Sequence, residues 1–192
     1  MAANSKFTKG YATSGVVTAI DARHGFILPH GVGDLQKGER YVISFACLDS
    51  FIHAMIRYSN VDYVIASAWK LLPYALRRVI SYDIACQWAT HFASRVEALP
   101  AHVRFDVPQG TQLRYAIPKF HYRAHKHDNH DQFSLHLQPG VGRVDGEEVE
   151  RGWSRHNQIA YSTREMGPGS RQDTLEDHFG NANWQKNIGI GE

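Results

Sequence analysis

VISYDIACQWATHFASRVEAL, residues 79–99, changes its period in the middle. Val79, Ile80 and Tyr82 make a short apolar run suited to a buried strand, and the run stops on Asp83. From there the apolar positions are Ile84, Trp88, Phe92, Val96 and Leu99, the spacing of an amphipathic helix, which Pro100 closes. A strand that ends on a carboxylate and turns at once into a helix is a unit of an α/β sheet. Carboxylates at strand carboxyl ends face the crevice where open α/β folds bind ligands. Asp83 can equally cap the helix that begins at Ile84.

Upstream, GVVTAIDARHGFIL (15–28) reads as two short strands around Ala22-Arg23-His24-Gly25. HGVGDLQKGER follows as a glycine-rich polar loop, and its glycine spacing is not that of a dinucleotide-binding turn. SNVDYVIASAWKLLPYALRR (59–78) predicts a helix capped at Ser59 or Asn60, with Asp62 in the first turn and Pro73 bending or ending it. Downstream, LRYAIPKFH predicts another strand, with Pro118 limiting its far end. Residues 121–140 read as an irregular, histidine-rich loop. A helix follows over DGEEVERGWSRHNQIAYST (145–163), and a last one over RQDTLEDHF (171–179) opens on Ser170 and Asp173 as a capping box. The order predicts a mixed α/β sheet with flanking helices.

Composition limits the function classes. The chain has 192 residues, 43% of them hydrophobic, with 21 basic and 19 acidic side chains. A net charge of +2 argues against a strongly basic nucleic-acid arm and an acidic tail, although a local basic patch remains compatible with it. Two cysteines, Cys47 and Cys86, exclude a disulfide framework and suit a reducing compartment. No apolar run reaches the roughly 18 residues that span a membrane, and the amino terminus lacks a secretory layout.

Three acidic residues fall where chemistry can use them. Asp83 ends a strand, while Glu147 and Glu150 lie three apart on the helix after the last strand and so share a face. Carboxylates converging in this way suit magnesium, a hard cation that takes oxygen ligands. The competing reading makes Glu147, Glu148 and Glu150 a solvated first helical turn. Lys119, Arg123, Lys126, Arg143, Arg151 and Arg155 surround the same region and can contact phosphates, or form a solvated surface. His121, His125, His127, His130 and His136 are dense enough for zinc, but a polar, DNA-facing loop is the preferred reading. A Cys86–His121 nucleophile and base pair is set aside in favour of Cys86 in the core. Trp88, Trp153 and Trp184 are read as core or helix-packing residues.

DARHGFILPHGVGDLQKGERY, SNVDY, SYDIACQW, IPKFH, GVGRVDGEEVERGWS, STREMGPGSRQDTLEDHFG and NANW strongly resemble, in order and over roughly residues 3–186, the Kyakuja-Dileera-Zisupton transposases abundant in mushroom-forming fungi. The resemblance implies a ribonuclease-H-like fold, a DDE-type active site holding magnesium, DNA as partner, and nuclear localisation if functional, otherwise cytoplasmic. It makes Asp83 the second catalytic carboxylate and Glu150, in ERGWS, the glutamate, with Glu147 second. The family's first strand, which carries its first aspartate, is expected to be missing: ANSKFTKGYATSGVV matches the stretch before the second strand. Asp21 stands where the family usually has cysteine and is no substitute. On this reading the whole chain is one partial domain of an incomplete fold, inactive as it stands. The alternative is a non-catalytic DNA- or protein-binding protein derived from a transposon. Self-association is compatible with the sequence, and no small-molecule substrate is evident.

One departure from the resemblance is an insertion. Removing residues 41–57 leaves GERYSNVDY, which restores the family pattern, and the 17-residue stretch has the size of a short intron. Residues 41–57 are therefore read as translated intron, against a natural loop or helix insertion. Genomic DNA is expected to carry GT and AG at the two edges, with spliced transcript reads that skip these codons; unspliced reads with neither signal would sink the idea.

Overall fold

The computed structural model describes residues 13–36, 50–72, 77–125 and 130–190. Thr13–Ile20 (β1) and Ile27–Gln36 (β2) form an antiparallel hairpin, with Val16 opposite Asp34 and Val17 opposite Gly33. Val16, Val17, Thr18 and Ile20 are β-branched and favour the extended backbone. Asp21 builds the turn: its carbonyl accepts from the Gly25 amide, and its carboxylate accepts from the His24 amide at 2.7 Å.

β2 corrects the loop expected at HGVGDLQ, because these residues are its second half. The register slips opposite Thr18–Ile20, and His30 takes a φ of 55° in the resulting bulge. Gly33 shows why a glycine suits this strand. A Cβ there would lie 2.6 Å from Val64 Cγ2, so its absence lets the following helix rest directly on β2.

That helix, α1, runs Ser50–Trp69. It begins well before the expected Ser59 cap, and Asp62 lies deep inside it rather than in its first turn. Of the proposed insertion, the backbone of residues 50–57 forms the first turns of α1; residues 41–49 lie outside the described residues, as does Pro73. Tyr58, Val64, Ala66, Ala68 and Trp69 are buried along α1. The chain then enters the strand β3 at Arg77–Ser81, where helix had been expected up to Arg78.

β3 pairs in parallel with Gln112–Ala116 (β4), Val79 lying opposite Arg114 and Ile80 opposite Tyr115. Parallel partners need a long crossover. It is supplied by Ala85–Trp88 (α2), a 3-10 turn at Ala89–His91, and Phe92–Glu97 (α3). Trp88 is completely buried at the centre, its ring 4.4 Å from Phe92 and edge-on to Tyr82 and Tyr115. Trp69 stacks on Phe105 at 4.6 Å, which joins α1 to the same core.

A charged group sits inside this aromatic cluster. Arg95 on α3 and Asp62 on α1 are both almost fully buried and paired at 2.5 Å. Trp88 Nε1 donates to the same carboxylate at 2.7 Å, and Arg95 Nη2 donates to the Trp88 carbonyl. Burial pushes the Asp62 carboxyl upward, and the Arg95 guanidinium and the indole N–H oppose that push.

Three further helices complete the order. Lys119–Tyr122 (α4) follows β4 directly. Glu148–Thr163 (α5) matches its expected span closely. Pro168–Ile188 (α6) is more than twice as long as expected, and Ser170 is not its cap. Gly167 holds the cap position, and Pro168, with its fixed φ, opens the first turn. Arg171 forks onto the Asp34 carboxylate of β2 at 2.8 Å and also donates to the Thr163 hydroxyl of α5. Further along α6, the Asn183 side-chain amide exchanges two 2.9 Å hydrogen bonds with the Ile27 backbone, and Lys186 donates to the Gly25 carbonyl. α6 thus lies along β2 in the opposite direction. Of the tryptophans read as core or helix-packing residues, Trp88 is fully buried in the core, whereas Trp184 on α6 is 60% exposed and lies outside it.

Among the described residues the architecture is mixed α/β, with an antiparallel pair and a parallel pair of strands. Among the described residues no strand joins the two pairs. Replacing Asp62 with alanine is expected to cost about 3–5 kcal/mol of stability, because Arg95 is left as an uncompensated buried charge. Urea unfolding measures it, and a loss below about 1 kcal/mol would show the pair to be incidental.

Candidate metal centre

Asp83 follows β3 by two residues. The Tyr82 amide still bonds the Ala116 carbonyl at 2.9 Å, so the strand pairing persists to the residue before the aspartate. The chain then turns through Asp83 and Ile84 into α2, which leaves the Asp83 carboxylate half exposed at the strand's carboxyl end. β4 ends beside it, and Pro118 starts the short α4 that carries His121.

The third component arrives from the turn before α5. Gly146 has a φ of 80°, and a Cβ there would lie 2.7 Å from Leu135 and 3.0 Å from Ser81 Oγ, so glycine meets both the conformation and the space. This turn sets Glu147 at the N-cap of α5, but its carboxylate serves another helix. Glu147 Oε1 accepts from the Phe120 amide of α4 at 2.8 Å. Asp145 braces the same turn, accepting from the Glu147 amide and from Arg151.

His121 stands at the centre. Its Nε2 lies 3.5 Å from Asp83 Oδ2 and 3.9 Å from Glu150 Oε1, and its Nδ1 lies 3.3 Å from Glu147 Oε2. Ligand atoms of Asp83, His121 and Glu150 all fall within 4.8 Å of one another. The two glutamates differ in their freedom. Glu147 is 14% exposed and committed to the α4 backbone, whereas Glu150 is 61% exposed in the first turn of α5. Burial pushes the Asp83 carboxyl up; the charges of Glu150 and Glu147 push the same way, and His121 and His125 pull against them. One divalent cation between Asp83 and Glu150 would remove that repulsion, and the donor set fits such an ion.

The basic residues singled out in the sequence separate. Lys119 and Arg123 sit at the two ends of α4, beside His121 in the chain, and Arg143 is exposed in the loop before Gly146. Arg155 faces α6, sharing a crevice with Glu148, His156 and Lys186. Lys126 lies outside the described residues. Arg151 is held internally: its guanidinium donates to Asp145 at 2.9 and 3.0 Å and to Glu148. It holds the Asp145 carboxyl down at about 2 and is itself pushed upward. Cys86 is half-buried, and the histidine beside it is His125 rather than His121.

The sequence reading left His121 out of the site. The available signal was its place in IPKFH, just beyond a strand that ends next to Asp83.

Residues 1–183 match the protein family described as Kyakuja-Dileera-Zisupton transposase. No curated protein and no solved structure matches the chain.

The upward shift of the Asp83 pKa carries a stability consequence with a definite sign. The folded state holds this proton more tightly than the unfolded chain, so ionisation of Asp83 costs stability as pH rises above the ordinary carboxyl range. Asp83→Asn is therefore expected to raise the unfolding temperature at about pH 7, with a smaller gain at about pH 4. Thermal melts of both proteins at the two pH values check it; an equal or lower melting temperature at neutral pH contradicts it.

Proposed function

The chain belongs to the Kyakuja-Dileera-Zisupton transposase family, and on that footing we propose that the Asp83–His121–Glu150 cluster is its divalent-cation site for DNA phosphodiester chemistry. The observation that carries the proposal is the convergence of a strand-end aspartate and a helical glutamate on one histidine, with ligand atoms within 4.8 Å. Asp83 and Glu150 would hold the ion, with magnesium the natural choice for two carboxylates. A bound cation of this kind polarises a phosphate and activates water or a DNA 3′-hydroxyl for attack.

The protein's own residues do the positioning. Glu147 ties α4 in place through the Phe120 amide, and its other carboxylate oxygen lies 3.3 Å from His121 Nδ1. Arg151, gripping Asp145 and Glu148, stiffens the turn that leads to Glu150. Lys119, Arg123 and Arg143 offer charge to the DNA backbone.

On this reading the fold is ribonuclease-H-like. The hairpin β1–β2 and the parallel pair β3–β4 are two parts of one sheet, joined by a strand that the described residues do not include. That strand would bring a further carboxylate, and the chain by itself binds the cation without completing strand cleavage.

The test uses the full chain with Mg2+ or Mn2+ and supercoiled plasmid. We expect cation binding by calorimetry that is lost in Asp83→Ala and in Glu150→Ala, with the plasmid left intact. Equal cation binding by wild type and both variants overturns the site. Nicking that Asp83→Ala abolishes overturns the inactivity. Plasmid binding that persists in both variants, with no cation bound by the wild type, favours a DNA-binding protein derived from a transposase.

A further inference from the structure

We propose a second metal site, for zinc or a similarly soft divalent cation, formed by Cys86, His125 and His130 and separate from the acidic cluster. Their ligand atoms lie within 4.8 Å of one another, and all three residues are half-buried. The residues come from two places in the chain: Cys86 from α2, and the histidines from either side of the stretch after α4.

The spacing suits a tetrahedral ion. With Zn–S about 2.3 Å and Zn–N about 2.0–2.1 Å, a tetrahedral angle puts sulfur and nitrogen about 3.6 Å apart. Cys86 Sγ and His125 Nδ1 are 3.7 Å apart. The His130 ring lies beside that of His125, with centroids 5.5 Å apart, and rests against Phe133 at 6.0 Å.

The tautomer is also set for ligation. His125 Nε2 lies 2.9 Å from the Asp83 carbonyl oxygen, which can only accept. The proton therefore sits on Nε2, and the Nδ1 lone pair faces the sulfur. A ligating histidine whose other nitrogen donates to a backbone carbonyl is the usual outer arrangement of zinc sites. Burial pushes the free Cys86 thiol up, and zinc would bind it as the thiolate with release of a proton. One thiolate and two imidazoles favour zinc, while the carboxylates of the neighbouring cluster favour magnesium or manganese. Three protein ligands leave a fourth position for water or another group.

The site has something to hold. The described residues between 119 and 137 contain a four-residue helix and two 3-10 turns, so little regular structure organises them. A metal on His125 would fasten this stretch to α2 and to the Asp83 backbone, and would thereby fix His121, four residues earlier, against its carboxylates. Cys86, His125 and His130 act here as positioning residues.

The experiment replaces zinc with Co2+ in the untagged full chain and reads the absorption spectrum, alongside zinc content by mass spectrometry. We expect one equivalent per chain, intense visible bands of tetrahedral cobalt and a thiolate-to-cobalt charge-transfer band in the near ultraviolet. Cys86→Ser should abolish the charge-transfer band, and His130→Gln should weaken binding at least tenfold with the helical circular dichroism retained. Asp83→Asn and Glu150→Gln should leave the spectrum unchanged, which separates this site from the acidic one. Absence of stoichiometric metal, survival of the charge-transfer band in Cys86→Ser, or loss of the spectrum in Asp83→Asn overturns the proposal. Should Cys86→Ser fail to fold, His130→Gln decides: unaltered affinity overturns the site.

Discussion

The ion pair between Asp62 and Arg95 ties the two sides of the molecule together. Two charges inside an aromatic cluster are costly to desolvate, and an apolar pair of equal volume would often be at least as stable. What the charges add is register. The Asp62 carboxylate receives Arg95 Nε, Arg95 Nη2 and the Trp88 indole, and Arg95 returns a bond to the Trp88 carbonyl. Only one rotation of α1 and one placement of the α2–α3 crossover satisfy all of these. The crossover begins at the turn that holds Asp83, so the pair also fixes where the strand-end carboxylate is delivered.

The candidate centre is built on the same economy of contacts. Three short segments meet there, and backbone groups do much of the aligning: the Phe120 amide takes Glu147, the Lys119 amide takes the Asp145 carbonyl, and the Asp83 carbonyl faces His125. Side-chain chemistry is left to His121, Asp83 and Glu150. The division of labour between the two glutamates follows from that. A carboxylate already satisfied by a main-chain amide and shielded from solvent is a brace, whereas one exposed in a first helical turn is open to a cation.

Much of this was legible in the residues, wherever the signal was local. The strand that leads to Asp83, the helix that Glu147 caps and that carries Glu150, and the DARHGF turn are all written within a few positions. The misses share a cause, which is that packing partners distant in the chain decided them. HGVGDLQ has a loop's composition, yet Gly33 forms strand because Val64 lies over it. Asp62 has a capping residue's type and place, yet α1 extends past it and Arg95, 33 residues later, claims it. RQDTLEDHF shows where α6 is periodic, but its full length depends on Arg171 and Asn183 finding β2.

Asn183 has a consequence for how the hairpin can grow. Its side-chain amide gives Ile27 one donor and one acceptor, which is what the peptide group of a neighbouring strand would give. Ile27 also stands opposite Ile20, so these bonds point away from β1. At this position α6 imitates the next strand and closes the outer edge of β2, a common guard against edge-to-edge aggregation. The hairpin is therefore one-sided: a strand that extends this sheet is steered to the β1 side.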